Sequence, residues 1–186
     1  MKIRVAKNVA YSLAISLLAA CGSMSPMSSQ SMFSQANLPA SVQVPAGHKV
    51  AMETVGAGTI TYQCNAKKDM ADQFEWVFVG PDAKLNDRSG KQVGKYYGPP
   101  ATWESTDGSK LTGAQVAVAP NGSGNIPSQL VKTNAAMGSG VMSGVTYIQR
   151  VATQGGVAPS APCNASVAGS KQIVNYQADY IFYKPI

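Results

Sequence analysis

The stretch "QIVNYQADYIFYK", residues 172–184, constrains the fold of this chain more than any other. Val174, Tyr176, Ala178, Tyr180 and Phe182 fall on one side of an extended backbone, and Asn175, Gln177 and Asp179 on the other. Successive side chains of a β-strand point to opposite faces, so this period of two describes a strand with one buried face. Such a strand needs a facing layer, or a sheet closed on itself, to keep its apolar side from water.

Shorter runs of the same kind precede it. "HKVAMETV" and "TITYQC" predict two strands separated by a turn at Gly56-Ala57-Gly58. In "QFEWVFVG" Phe74, Trp76 and Phe78 share a face opposite Glu75, and Gly80-Pro81-Asp82 is expected to stop the strand. "AQVAVA" ends at Pro120-Asn121-Gly122 and "GVTYIQRVAT" at Gly155-Gly156. "NAKKDMADQ" suits a short helix or a turn, and no other segment after residue 20 carries a helical stripe. The 18 glycines and 11 prolines supply turns for many short strands. The expected fold is therefore all-β, a single-domain antiparallel β-sandwich or barrel, over residues 44–186.

The other end of the chain reads as an address. Lys2, Arg4 and Lys7 precede the apolar run "NVAYSLAISLLAA", which is the pattern of a signal peptide and short for a membrane span. The following "LLAACGS" resembles the bacterial lipobox, which implies cleavage before Cys21 and acylation, palmitate included, of that residue. Gly22 in place of an Asp implies the outer membrane of a bacterial cell envelope. Residues 1–20 are then a lipoprotein signal peptide. Residues 21–43, rich in Ser, Met and Gln, are read as a flexible tether, with a reach of roughly 25 Å over its length. The alternative is an ordinary secretory signal with Cys21 incidental.

Losing residues 1–20 lowers the formal charge from +6 to +3. The remaining cations are scattered, which argues against nucleic acid as a partner. With Cys21 acylated, Cys64 and Cys163 are left as a pair in an oxidising compartment, and a disulfide between them is expected. It would close a long loop, for which the chain-entropy estimate is about 4.7 kcal/mol. Two separate buried thiols are the alternative, and a redox role for the pair is a weaker third reading.

Several segments together carry a family pattern: "TYQCNA", "WVFVGPDAKLNDRSGKQVGKYYGPPATWESTDGSKLTG", "IPSQLVK", "GVTYIQRVATQGGVAPSAPC" and "YQADYIFYK". In that order they resemble the family called domain of unknown function 3455, over roughly residues 44–184. The resemblance implies an exported domain of bacterial or fungal type and brings no activity with it. Where the family often has a histidine before the Gly-Pro and Trp-Glu, this chain has Tyr96 and Tyr97.

Candidate chemistry is sparse. His48 is the only histidine, so it alone can serve a catalytic triad, and it reads better as an exposed or capping residue. No cofactor and no metal site is implied. In "WESTDGS", Glu104 and Asp107 are a candidate carboxylate pair for work on a sugar, with Trp103 as a stacking platform, but Asp107-Gly108-Ser109 is also strong turn chemistry. Asp82, Asn86, Asp87 and Ser89 offer oxygen ligands in one presumed loop, at a spacing that fits no cation motif. Tyr96, Tyr97, Trp103 and Arg150 are candidate ligand-binding residues, the two tyrosines being read as loop aromatics. For Arg150, an ion pair with Asp179 is an equal alternative. The leading expectation is an envelope-anchored lipoprotein with a non-catalytic binding or structural β-domain. It would touch the membrane through its lipid, and a glycan or an envelope protein is the expected partner. A small hydrolase or lyase acting on polysaccharide is the alternative.

Overall fold

A computed structural model describes residues 33–186. The expected signal peptide, Cys21 and the first part of the expected tether lie outside those residues. Eight antiparallel strands form a closed barrel in simple sequence order: β1 (His48–Lys67), β2 (Met70–Asn86), β3 (Gln92–Tyr97), β4 (Thr102–Ser105), β5 (Lys110–Ala119), β6 (Ser128–Thr133), β7 (Tyr147–Gly155) and β8 (Lys171–Pro185). Of the two expected all-β architectures, the barrel is the one adopted. β8 closes it by pairing with both β7 and β1.

The alternation read in β8 sets the inner wall. Tyr176, Ala178, Tyr180 and Phe182 join Ile60, Leu85, Tyr96, Trp103, Leu111 and Ile148 in the interior cluster. Asp179 faces outward, where it and Glu53 hold Arg88 at 2.8 and 2.9 Å.

Two expected turns are instead strand interior. Gly56-Ala57-Gly58 lies within β1, and Gly80-Pro81-Asp82 within β2. These glycines let neighbouring chains come close. A Cβ on Gly58 would lie 2.1 Å from the Asp82 carbonyl oxygen, and one on Gly56 would lie 2.4 Å from the Tyr180 ring. Glycine within a strand often marks such close approach, and here it lets long strands wrap a narrow barrel. The "NAKKDMADQ" segment is the hairpin tip between β1 and β2, with Lys67 opposite Met70.

Residues 33–43, expected to belong to a flexible tether, are packed on the barrel from Phe33 onward. Gln35 mimics a backbone partner, donating to the Val44 carbonyl at 3.0 Å and accepting from the Val44 N–H at 2.7 Å. A single 3-10 turn follows at Ala40–Val42. Val42 and Val44 then cover Leu130, Val151, Ile181 and Tyr183 on the outer wall, with Phe33 and Leu38 packed alongside. This is why Ile181 and Tyr183 are buried although they point away from the barrel interior.

In a barrel with this strand order, alternate connections gather at opposite ends. The β2–β3, β4–β5 and β6–β7 connections share one end. There Met142 and Val145 of the β6–β7 connection enter the interior cluster and plug it. The β1–β2 tip and the β3–β4, β5–β6 and β7–β8 connections share the other end. There Cys64 of β1 is bonded to Cys163 in the β7–β8 connection. The expected disulfide therefore forms, and it ties the projecting hairpin to that long connection. Trp76 of the hairpin adds a hydrogen bond from its indole to the Ala161 carbonyl at 2.8 Å.

Candidate functional site

The interior is not filled at the disulfide-linked end. A cavity of about 350 Å³ lies there, partly open to solvent. Ile60 and Tyr62 of β1, Phe78 of β2, Tyr96 of β3 and Trp103 of β4 supply its apolar wall. Gln115, Gln129 and Arg150 supply the polar side. An eight-stranded barrel is wide enough either to be packed with side chains or to hold one small ligand. This one is packed at the plugged end and hollow at the other.

Each wall residue reaches the cavity by strand alternation. Ile148 is interior, Gln149 is outside under the Val42 segment, and Arg150 is interior again. Tyr96 and Trp103 are paired across the β3–β4 ladder and stack with ring centroids 4.6 Å apart. Phe78, on the part of the hairpin that runs beyond the end of β3, is 52 % exposed and meets Tyr62 edge-on at the cavity mouth. The β5–β6 connection is tied down as well: Asn125 Oδ1 accepts from the Gly155 N–H at 2.8 Å, and Arg150 Nη2 donates to the Pro127 carbonyl at 3.0 Å.

The polar groups include two glutamine amides, which both donate and accept, and one guanidinium, which only donates. Gln129 Nε2 donates to Gln115 Oε1 at 2.7 Å, so that pair partly satisfies itself. Tyr62 donates its hydroxyl to the Gly156 carbonyl at 2.8 Å. Burial raises the phenol pKa of Tyr62 and of Tyr96, against the opposing pull of the Arg150 cation. Both rings stay neutral near pH 7. Two buried nitrogens, Trp103 Nε1 and Arg150 Nε, have no hydrogen-bond partner among the described residues.

The candidate residues read from sequence are divided by the barrel wall. Tyr96, Trp103 and Arg150 converge on the cavity. Tyr96 and Tyr97 lie on β3 and not in a loop, and Tyr97 faces outward. Its hydroxyl donates to Glu104 Oε2 at 2.7 Å, and Lys95 Nζ lies 3.4 Å from Glu104 Oε1. The Tyr97 hydrogen bond first, then Lys95, holds the Glu104 carboxyl below its usual range. Trp103 and Glu104 are therefore on opposite faces of β4 and do not form one sugar-binding cleft.

Asp107 is engaged elsewhere. It accepts from the Ser109 hydroxyl at 2.6 Å, the Ser109 N–H at 2.9 Å and the Val141 N–H at 2.8 Å. These bonds, led by the Ser109 hydroxyl, hold its carboxyl far below the ordinary range. It latches the β6–β7 plug to the β4–β5 turn. Arg150 does not pair with Asp179, which is taken by Arg88. The presumed cation loop is also dispersed: Asp82 and Asn86 are strand residues, and Asp87 caps the turn by accepting from Ser89 and Lys91. His48 starts β1, with Nδ1 3.0 Å from the Pro45 carbonyl and its ring edge-on to Tyr147. Among the described residues no group of three His, Cys, Asp or Glu is placed to hold a metal ion.

The sequence reading did not single out Tyr62, Phe78, Gln115 or Gln129. Phe78 was visible as one of the alternating aromatics of its strand and Tyr62 as part of the strand before it, but the register that faces them across a cavity was not.

Fold and cavity together define an up-and-down eight-stranded β-barrel, hollow at one end. The profile of a family described as "Protein of unknown function (DUF3455)" matches residues 45–184, and the chain belongs to that family. No curated protein and no solved structure matches it.

Proposed function

We propose that this protein is a bacterial envelope lipoprotein whose barrel is a non-catalytic binding module for a small, largely apolar molecule. The observation that carries the binding reading is the cavity of about 350 Å³, walled by Tyr62, Phe78, Tyr96 and Trp103. Ligand pockets usually fall in the range of roughly 300–1,000 Å³, apolar with a few placed polar groups. The anchoring reading is supported by the signal-like residues 1–20 and by the "LAAC" that ends at Cys21.

Binding is tested with the neutral fluorophore N-phenyl-1-naphthylamine. The folded chain should raise its emission saturably. Ala101→Leu and Val131→Phe, which add bulk to the cavity lining, should abolish the signal while the protein still unfolds cooperatively. Binding that survives both substitutions excludes the cavity as the site. Anchoring is tested by mass spectrometry of the native amino terminus, with Cys21→Ser expected to release the protein from the membrane fraction.

A further inference from the structure

We infer that the cavity takes a flat, apolar molecule bearing one carboxylate, with Arg150 as the residue that receives the anion. This rests on the binding reading above and names the chemistry of the ligand. The first observation concerns charge. Arg150 lines the cavity, and no Asp or Glu does. The three ion pairs among the described residues use Arg88 and Lys95, not Arg150. Arg150 is half-buried, and a guanidinium that gives up part of its water without a counter-charge favours an anion beside it. The phenols around it provide none, since burial keeps Tyr62, Tyr96, Tyr176 and Tyr180 protonated.

The second observation concerns hydrogen bonds. Arg150 donates from Nη2 to the Pro127 carbonyl and leaves Nε buried and unpartnered. Trp103, only 1 % exposed, lines the same cavity with an unpartnered Nε1. An indole N–H and a guanidinium N–H can only donate. Neither nitrogen is reached by solvent, so the donor that an acceptor entering the cavity can meet is Arg150 Nη1, which has no hydrogen-bond partner among the described residues. A carboxylate is acceptor-only, matches the guanidinium fork and carries the missing charge.

The third observation concerns shape. The stacked Tyr96 and Trp103 rings and the edge-on Tyr62 and Phe78 pair present apolar ring surface around the polar groups. Such walls favour a planar, apolar body over a polar, hydroxyl-rich one. An acyclic sugar acid or a free phosphate lacks the apolar part, and a neutral hydrocarbon leaves the guanidinium unmet.

The test uses two isosteric probes, 2-naphthoate and 2-naphthamide, titrated into the full chain by calorimetry at neutral pH. Naphthoate should bind roughly ten-fold more tightly, the scale of one charge-assisted hydrogen bond. Arg150→Met should abolish that preference by weakening naphthoate much more than naphthamide, and Arg150→Lys should restore only part of it. Equal binding of both probes to the unaltered chain overturns the carboxylate assignment and leaves the binding reading standing. Binding of neither probe overturns both. The comparison on the unaltered chain decides the matter even where Arg150→Met does not fold.

Discussion

Tyr96 and Trp103 sit opposite each other on β3 and β4 and stack inside the barrel, with centroids 4.6 Å apart. Their chain neighbours Tyr97 and Glu104 meet on the outside of the same two strands, at 2.7 Å. One pair is covered by Tyr180 and the cavity wall, the other by solvent. The two pairs therefore differ in what they contribute. Trp103→Ala should lower the unfolding free energy by about 3–5 kcal/mol, as for other large buried rings. Tyr97→Phe removes one partly exposed hydrogen bond and should cost at most about 1 kcal/mol. Urea denaturation of both variants checks this, and losses of similar size would contradict the assignment of inner and outer faces.

Cys64 and Cys163 are 99 residues apart in sequence and 5.5 Å apart at Cα. Cross-linking acts mainly on the unfolded chain, and more so for long loops. The double variant Cys64→Ala, Cys163→Ala should lose about 2–5 kcal/mol against urea. Hydrogen exchange should rise most in the hairpin tip and in the β7–β8 connection, which the bond joins. A uniform rise over all strands would mean that the bond does not hold that end of the barrel specifically.

Asp107 gives the molecule an acid-sensitive latch. Hydrogen bonds from Ser109 and Val141 depress its folded-state pKa. A depressed carboxylate pKa adds stability that is complete above the unfolded value of about 3.9 and is lost as pH falls toward the folded value. Asp107→Asn should therefore lower Tm by a constant amount above about pH 5, and the gap to the unaltered protein should narrow below about pH 4. Thermal melts from pH 2 to 7 measure this. A gap that widens in acid has the wrong sign for the proposed latch.

Much of the inner wall was legible in sequence because it depends on alternation alone. Tyr176, Ala178, Tyr180 and Phe182 of β8 face inward as their spacing requires. The short strands β3, β4 and β6 were not legible, since four to six residues carry little periodic signal. Gly58 and Gly80 misled in an instructive way. Glycine and proline are normally punctuation. Here Gly58 lies against the Asp82 carbonyl and Gly80 against that of Gly98, so these residues permit close contact between strands instead of ending them. Of the site, Tyr96, Trp103 and Arg150 were marked as candidates, but sequence gave no means of placing Glu104 on the far side of the wall from Trp103. That separation is a matter of strand parity within β4, whose four residues include three buried ones and so show no clean alternation.

The segment before β1 was the least legible, because a Ser- and Gln-rich stretch has the composition of a linker. Its role is carried by few residues. Val42 is fully buried against the outer wall, and its carbonyl accepts from Gln149 Nε2 at 2.6 Å. Gln149 in turn accepts from the Tyr183 hydroxyl at 2.7 Å. A strap fastened in this way shields Leu130, Val151 and Ile181, which would otherwise form an apolar patch on the barrel exterior. Val42→Ala should cost about 2 kcal/mol, from two buried methyl groups and the space they leave. Val42→Asp should lift the strap, raise binding of a hydrophobic dye and promote self-association on size-exclusion chromatography. If Val42→Asp stays monomeric with an unchanged melting curve, the strap adds nothing to the barrel and residues 33–43 belong with the linker after all.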